Sequence, residues 1–484
     1  MPSQLIQQVT AACDDVVARC DDPEVRAAVT TVRASLQEPL RLAVVGRVSS
    51  GKSTLVNALL GRRVAPTDVG ECTRLVTRFR FGYPERVEVV GVDGTKRVTG
   101  LSADGTIPNL PSAGLAYLDV YLSETVLETV TLVDTPGLAS ASERPSAPAD
   151  LCAIDDRSRA ALRHADAMLF MLAPPTRQED VAVLSAFRDL FAGIRASAVN
   201  AVGVLSKIDK LGDDATDPWP EARSVAGRQA ELLSPIVSRI VPVMGLIAET
   251  SSSREFTEDD ARALRELADL GVETRERLLL SVDRFRNSDV PILPGSRARL
   301  LGLLDLHGIR LAIEAIGQGK TEASDLLREL HASSGIEALQ ELVRTTFRRQ
   351  GEAIKADWAI AALNRACSAG DGHGPQLLRS RLEDLRLSPE FHRVEEMATL
   401  HDLAAGSTNI PDSLRADLER LATGISLPER LGVPQLASAD DLRSAALEAA
   451  TRWRAFLNDP RASRSQARVA ATVCRSFELM IASL

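Results

Sequence analysis

A phosphate-binding loop is the feature that most restricts what this chain can fold into. Residues Gly46 to Ser53, in GRVSSGKS, fit the pattern Gly-x-x-x-x-Gly-Lys-Ser/Thr in full. The apolar run LRLAVV precedes them as a predicted strand over 40–45, and a predicted helix over 54–60 follows. In that setting the loop turns backbone N–H groups towards phosphate oxygens. The motif therefore predicts an α/β domain that binds a nucleoside triphosphate.

The loop also supplies predicted side-chain contacts. Lys52 can reach the β- and γ-phosphates, and the Ser53 hydroxyl can bind Mg²⁺. Ser49 can approach the β–γ bridging oxygen or a charge-compensating monovalent cation, and hydrogen bonding within the turn is an equal alternative. The residues expected to bind nucleotide in this loop are Gly46, Val48, Ser49, Ser50, Gly51, Lys52, Ser53 and Thr54.

Two further segments favour a guanine nucleotide. In DTPG, at the end of a predicted strand, Asp134 can hold Mg²⁺ through water and the Gly137 N–H can meet the γ-phosphate. In SKID, after the strand AVGVL, the Asp209 carboxylate can accept both the ring N–H and the amino N–H of guanine, while the Lys207 stem covers the purine face. Adenine offers no such pair of donors. The three motifs in this order predict a GTP site.

A threonine between the loop and DTPG should complete the metal shell. Thr73, in ECTRLVT, is the best candidate, and Thr67 and Thr77 are alternatives. Its hydroxyl would join Mg²⁺, and its backbone would orient the attacking water. The predicted catalytic set is Ser49, Lys52, Thr73 and Gly137, and the predicted metal set is Ser53, Thr73 and Asp134.

The residue after Gly137 is Leu138, which cannot position water as a glutamine would. The water must then be oriented by backbone, by Thr73 or by a second molecule. Arg47 and Arg74 are the nearby cations, either of which could act as an arginine finger, although a solvated arginine is the simpler interpretation.

Predicted strands lie over 40–45, 75–81, 87–92, 129–134, 167–172, 199–205 and 240–244, with helical patterns at about 153–164 and 178–192. Up to about residue 255, strands alternating with helices predict a doubly wound, mostly parallel sheet. The interval from Gly46 to Asp134 is far longer than the roughly 30 residues of a βαβ unit, so residues 82–126 should add strands or a long loop. Residues 93–117 are rich in glycine, proline and serine and are typical of such an excursion.

The later part of the chain has helical spacing only. We predict a helix over 1–37 that joins an all-α trunk or neck, a GTPase domain over 38–345 with helical additions after about 255, and the trunk itself over 346–484. The first and last helices each have an apolar stripe, and one hypothesis pairs them in a single bundle.

Composition excludes several classes. The formal net charge of −9 and an aromatic content of 4% argue against nucleic-acid binding. The six cysteines form no zinc-binding pattern, no apolar run could span a membrane, and the first residues lack the basic start of a signal peptide. The sequence therefore predicts a cytosolic chain whose membrane contact, if any, is peripheral.

The motifs and their surroundings resemble bacterial dynamin-like proteins. The resemblance lies in GRVSSGKSTLVNALLG, VAPTDVGECTRLVTRFRFG, LVDTPG, LSKID and VPVMGLIAET. Outside them, LLLSVDRFR, LLDLHGIRLAI and SSGIEALQELVRTTFRRQ are similar to the short, isoniazid-inducible type of mycobacteria. The similarity covers about residues 38–365, with a weaker helical pattern to the end.

This resemblance implies a helical trunk, an N-terminal helix that packs on it, and dimerisation through the GTPase face. It also implies membrane remodelling, with a homodimer or a second, longer dynamin-like protein as partner. Three positions depart from the family pattern: Val48 stands where eukaryotic dynamins have glutamine, Ser206 opens the base-recognition box, and the segment after the last strand lacks a standard base-stacking motif. No lipid-binding domain or hydrophobic paddle is evident.

The sequence thus predicts a Mg²⁺-dependent dynamin-like GTPase, peripheral at the inner face of the cell membrane. The alternative is a GTP-binding switch or scaffold that recruits a protein partner without remodelling lipid. A ribosome-assembly GTPase would need a basic RNA-binding module, which the acidic helical half does not provide.

Overall fold

The computed structural model describes residues 4–484 except 48, 67–74, 112, 137–164, 173, 175–196, 212–216, 234–235, 238, 369–371, 387–390, 405 and 407. Over these residues a nine-stranded sheet forms the centre of the first half. Its strands are β1 (Leu40–Gly46), β2 (Val76–Phe81), β3 (Arg86–Gly91), β4 (Lys96–Thr99), β5 (Leu115–Leu122), β6 (Val130–Asp134), β7 (Ala167–Leu172), β8 (Ala201–Ser206) and β9 (Ile240–Val243).

The strand order is β4-β3-β5-β2-β6-β1-β7-β8-β9. The half from β6 to β9 is parallel throughout, and β2 also pairs in parallel with β5. Antiparallel pairs join β2 to β6 and β3 to both β4 and β5. The sheet is therefore mixed and mostly parallel, and the predicted fold class is confirmed.

The long interval before DTPG holds extra strands rather than a long loop. β3, β4 and β5 extend the sheet on the β2 side. The glycine- and proline-rich excursion contains β4, and β5 begins within its last residues, in LAYLDVYL. Sequence reasoning missed these two strands because β4 is short and exposed, and because β5 carries polar residues between its apolar ones.

Helices follow and flank the sheet. In the described residues they are α1 (Gln4–Arg19), α2 (Pro23–Gln37), α3 (Lys52–Leu60), α4 (Trp219–Leu233), α5 (Gly245–Ser252), α6 (Glu258–Ala268), α7 (Val272–Leu278), α8 (Val282–Asn287), α9 (Pro294–Gly317), α10 (Ala323–Ser333), α11 (Ile336–Leu342), α12 (Arg348–Cys367), α13 (His373–Arg386), α14 (His392–Ala404), α15 (Asp412–Thr423), α16 (Leu427–Leu431), α17 (Ala439–Leu457) and α18 (Arg464–Ser483). The helices predicted over 153–164 and 178–192 lie outside the described residues.

Both faces of the sheet are covered, because its central strands are apolar on both sides. In β1, Leu42 and Val44 join one hydrophobic cluster, whereas Ala43 and Val45 join another. The first cluster continues into helices near the C-terminal end of the chain, and the second is shared with α4 to α10. The carboxyl ends of the parallel strands are thereby fixed from both sides.

The hypothesis that the first and last helices pair through their apolar stripes is wrong. Leu5 and Val16 of α1 pack with α2, α12 and α13, whereas Val473 and Phe477 of α18 belong to the cluster that includes α14 and α17. The physical reason is local: only three residues separate α1 from α2, which is capped by the Asp22 side chain, and α2 covers the stripe of α1 together with α12 and α13.

The long helix α12 also contacts the residues that lead into β1. Lys355 of α12 is buried and donates hydrogen bonds to the carbonyls of Leu36 (2.8 Å) and Glu38. Arg41 in β1 lies over the Trp358 ring of α12, 4.5 Å from its centroid, and pairs with the buried Asp166. A π-helical turn over Val343–Phe347 joins α11 to α12. The sheet and α12 therefore share polar contacts as well as apolar ones.

Among the helices described, none is both long and apolar enough to cross a bilayer.

Candidate functional site

The phosphate-binding loop leaves the sheet at the point where its topology reverses. β1 lies between β6 and β7, and all three run in parallel, so their carboxyl ends meet at one edge. β8, which ends at Ser206, adds its carboxyl end to the same edge. Ligands of open α/β sheets bind at such a switch point. The three predicted nucleotide motifs are therefore brought together as the sequence required.

Backbone conformation explains the residue types of the loop. Ser49 has a φ of 61° and Gly51 a φ of 89°, so the chain turns twice through the left-handed region before α3. At Gly46, a Cβ atom would lie 2.6 Å from Met171 Cβ and 2.8 Å from Ser50 Oγ. Glycine is required there because β7 passes too close for any side chain. Val48 lies outside the described residues.

Lys52 folds back over the loop it follows. Its ammonium group donates to the carbonyls of Gly46 (3.1 Å) and Arg47 (2.9 Å), and the side chain is buried. Burial lowers the pKa of Lys52, and the neighbouring Asp134 opposes that shift. A cation held in a cradle of backbone at a helix N-terminus is suited to binding phosphate oxygens.

Ser53 and Asp134 form the centre of the site. The Ser53 hydroxyl donates to Asp134 Oδ2 at 2.8 Å. Burial raises the pKa of Asp134 to about 6, while the Ser53 hydrogen bond and the charge of Lys52 act in the opposite direction. Asp134 Oδ1 is shielded from water and has no hydrogen-bond partner within the described part of the chain.

This pair fits a magnesium ion. Mg²⁺ prefers carboxylate and hydroxyl oxygens, and it usually keeps several waters and phosphate ligands. The unpartnered Oδ1 of Asp134 and the Ser53 hydroxyl are such donors at the foot of the loop. In the part of the chain that the structure describes, no three histidine, cysteine or acidic side chains group as a metal site.

The other predicted switch residues divide into two groups. Thr67, Thr73, Arg74, Gly137 and Leu138 lie outside the described residues, so their roles stay predictions. The alternative threonine Thr77 is buried in β2, where its Cα pairs with that of Asp134 across the antiparallel ladder.

The base-recognition box follows β8 with a sharp turn. The buried Ser206 hydroxyl donates to the Leu172 carbonyl at 3.1 Å and so joins β8 to β7. Lys207 has a φ of 56°, and a short 3₁₀ turn over Ile208–Lys210 carries Asp209. Asp209 is half-buried, and burial raises the pKa of its carboxyl, while a backbone hydrogen bond and the charge of Lys210 act in the opposite direction. The hydrogen bond from Ser206 to β7 gives the serine at the first position of the box a structural role.

The remaining loop residues differ in exposure. Arg47 and Ser49 are exposed, whereas Ser50 is buried with no hydrogen-bond partner for its hydroxyl among the described residues. Thr54 is half-buried in the first turn of α3. Exposure leaves the side chains of Ser49 and Arg47 available to a ligand.

Sequence reasoning missed a buried asparagine that holds the chain after the loop helix. Asn57 of α3 accepts hydrogen bonds from the N–H groups of Val64 (3.0 Å) and Ala65 (2.8 Å). It also donates to the Ala65 carbonyl and to Glu249 of α5. These bonds fix the residues just before 67–74, the segment predicted to contain the switch threonine. A polar residue inside the apolar run LVNALL was the available signal.

Comparison with known proteins agrees with this geometry. Residues 42–190 match the Dynamin family. The chain is 34% identical over 476 residues to isoniazid-induced protein IniC of Mycobacterium tuberculosis, which covers 93% of this chain and 92% of that protein. The chain belongs to the bacterial dynamin-like proteins of the IniC type. The resemblance stated from the motifs is thereby confirmed, and with it a dynamin-family GTPase domain.

Other similarities are more limited. Dynamin-like protein 2 of Campylobacter jejuni is 35% identical over 106 residues, which is 22% of this dynamin-like chain and 17% of that protein. A solved structure of an oligomerised bacterial dynamin pair, described as a mechanism for long-range sensing and tethering of membranes, covers 98% of this chain and 90% of its own at 13% identity and a TM-score of 0.35.

Proposed function

We propose that this chain hydrolyses GTP to GDP and phosphate at the edge where β1, β6 and β8 end, and that the reaction drives peripheral membrane binding and remodelling. The observation that carries the enzymatic part is the Ser53–Asp134 pair: a hydroxyl and a buried carboxylate with one unpartnered oxygen, beside the phosphate-binding lysine. A site that only bound a phosphorylated ligand would need the lysine but not the Ser53–Asp134 pair.

Each residue has a defined task in this proposal. Backbone N–H groups of the loop and the Lys52 ammonium bind the β- and γ-phosphates, after Lys52 exchanges its two carbonyl acceptors for phosphate oxygens. Ser53 and Asp134 would hold Mg²⁺, with Thr73 as the third protein group. The ion, when bound, neutralises charge that develops on the phosphate oxygens.

Water attack on the γ-phosphate needs orientation rather than a strong base. Leu138 offers no amide, so we assign orientation to the Thr73 backbone and contact with the γ-phosphate to the Gly137 N–H. Ser49, exposed at the tip of the loop, would meet the β–γ bridging oxygen or a monovalent cation. Asp209 accepts the two N–H groups of guanine, with Lys207 across the purine face.

The membrane and partner parts rest on family membership. We propose a nucleotide-dependent dimer, either of this chain or with a second dynamin-like protein, that acts peripherally at the inner face of the cell membrane. The chain would divide into an N-terminal helical part over 1–37, a GTPase domain over 38–345 and a trunk over 346–484. Contacts of α1 and α2 with α12 and α13 support that division.

The nucleotide site is tested by titrating labelled GTP and ATP into the wild-type chain and Lys52→Ala. GTP affinity should fall by about tenfold or more in the variant, and the wild type should prefer GTP to ATP. Thr73→Ala should abolish turnover and leave GTP binding nearly intact. Unchanged GTP affinity in Lys52→Ala, or equal affinity for ATP, would contradict the assignment.

The membrane part is tested separately. GTP turnover is measured with liposomes of phosphatidylglycerol and, in parallel, of phosphatidylcholine, and the liposomes are imaged by electron microscopy. We expect faster turnover together with tubulation or clustering. A turnover rate that stays flat across lipid concentrations, with unchanged liposomes, would favour the alternative, a GTP-binding switch that recruits a protein partner.

A further inference from the structure

Helix α9 is interrupted by a strained residue beside the base-recognition box. Asp305 has a φ of 53° and a ψ of −179°, far from helical values, inside a helix of 24 residues. Glycine adopts this backbone freely, whereas an aspartate there is strained. Strained backbone persists only where the surrounding structure holds it, and it concentrates at functional sites. The bend alone therefore does not explain why an aspartate, rather than a glycine, stands at position 305.

Packing against α5 fixes the interruption. Thr250 of α5 donates its hydroxyl to the Leu303 carbonyl, next to the bend. After the bend, a Cβ atom on Gly308 would lie 3.1 Å from Ile247 Cγ1, so α9 and α5 touch closely. α5 begins two residues after β9, the last parallel strand of the sheet. Asp305 is thus held in a defined position relative to the edge where nucleotide motifs meet.

The Asp305 side chain has one committed oxygen and one available oxygen. Oδ1 accepts the Leu306 N–H at 2.8 Å. Oδ2 lies 4.0 Å from the ammonium of Lys210, the residue that follows Asp209, and the side chain is 33% exposed. Burial is the main reason why the pKa of Asp209 is raised, and the Asp305 carboxylate adds to that rise. The Asp209 and Asp305 carboxylates therefore lie near enough to influence each other at the end of β8.

Guanine carries enough N–H donors to bind the carboxylates of both Asp209 and Asp305. Its ring N–H and one N–H of its 2-amino group can bind a single carboxylate, which leaves the second amino N–H without an acceptor. We propose that Asp305 is a specificity-determining residue of the guanine site, whose carboxylate accepts this second N–H. The proposal rests on the GTP binding proposed above. The base hypoxanthine lacks the 2-amino group, so it reports on this contact alone.

The experiment compares GTP with inosine triphosphate on the full chain. Asp305→Gly keeps the backbone relaxed at positive φ and removes the carboxylate, and Asp305→Asn keeps an acceptor for Leu306 without the charge. Asp305→Gly should lower GTP affinity by about tenfold and leave inosine triphosphate affinity within about twofold, because a hydrogen bond to a charged group is lost only with GTP. Asp305→Asn should lower GTP affinity at least as much, because its single amide oxygen is used by the Leu306 N–H and its NH₂ group would meet the guanine amino group as a second donor.

Controls separate the other outcomes. Glu314→Ala, exposed on the same helix, should change neither affinity. An equal fall for both nucleotides, or no change in either, would overturn the role of Asp305. A Lys210→Ala variant that reproduces the whole effect would overturn direct contact in favour of positioning through Lys210. If Asp209→Ala leaves GTP affinity unchanged, the proposed guanine site itself fails, whatever Asp305 does.

Discussion

The Ser53 hydroxyl donates a 2.8 Å hydrogen bond to Asp134 Oδ2, which joins the first turn of the loop helix to the end of β6. The other carboxylate oxygen of Asp134 is shielded from water and has no partner among the described residues. The nucleotide-free site therefore contains a carboxylate whose ionised form is poorly stabilised by its own surroundings. The ionised carboxylate of Asp134 is what the proposed metal site needs, whereas its burial makes the folded protein less stable.

Asp134→Asn should make the nucleotide-free protein more stable at neutral and alkaline pH. Burial raises the pKa of Asp134 from 3.8 to about 6. The folded wild type is therefore most stable at pH values below the pKa of the unfolded state, and it loses stability as the pH rises through about 6. The gain at pH 8 should be up to about 3 kcal/mol and should vanish near pH 4. Thermal unfolding without Mg²⁺ across pH 4–8 measures it.

Asp402→Asn, an exposed change in α14, serves as the control and should show no such pH dependence. Asp134→Asn should also lose Mg²⁺-dependent GTP turnover. A variant that is less stable than the wild type at pH 8 would contradict the assignment of a desolvated carboxylate.

Gly46→Ala should abolish nucleotide binding and destabilise the sheet edge. The new Cβ would lie 2.6 Å from Met171 Cβ, so the loop and β7 must separate, which costs about 1–3 kcal/mol. Gly227→Ala is the matched control, because nothing lies within 4 Å of its Cβ position in the exposed part of α4. The free energy of unfolding of Gly227→Ala should rise by about 0.5–1 kcal/mol, because alanine has the higher helix propensity. Urea unfolding and labelled-GTP binding measure both.

Asn57→Ala should destabilise the fold and slow GTP turnover. It leaves the N–H groups of Val64 and Ala65 without their buried partner, at about 1–3 kcal/mol for each unsatisfied group. Glu249 loses one donor and keeps its ion pair with Arg63. Turnover should fall further than GTP affinity, because the residues that enter the segment 67–74 lose their anchor. Glu249→Gln, which retains an acceptor for Asn57, should have a smaller effect. Equal losses in both variants would argue against this anchor.

Lys355→Ala should loosen the junction between α2, β1 and α12. The carbonyls of Leu36 and Glu38 lose a buried charged donor, with an expected cost of about 1–3 kcal/mol. Limited proteolysis should then cut the chain near residue 38 faster than in the wild type. Lys96→Ala, in the exposed strand β4, is the control. An unchanged cleavage rate near residue 38 would show that the Lys355 hydrogen bonds do not hold the junction.

The nucleotide motifs could be read directly because their chemistry is local. A loop that must expose backbone N–H groups needs Gly46 and Gly51 in sequence, and a strand must precede it, so residue types and spacing report the geometry. The strands β1, β6, β7, β8 and β9 were predicted for a related reason: buried parallel strands are continuous apolar runs.

The missed features depend on contacts between distant residues. Asn57 and Glu249 meet across 192 positions, and neither neighbourhood in the sequence indicates the other. The supposed pairing of α1 with α18 failed for the same reason: an apolar stripe shows that a helix needs a partner and does not identify it. The stripe of α1 is covered by α2, the nearest helix in sequence, together with α12 and α13.

By itself, the sequence determined the phosphate-binding loop and the mostly parallel sheet that holds it, and it predicted the guanine box, because each rests on short-range residue chemistry. Only the tertiary structure decided that one buried oxygen of Asp134, beside Ser53, has no partner among the residues described, and that the strained Asp305 of α9 lies beside Lys210. Desolvation and packing between distant segments cause both, and neither has a signature in local sequence.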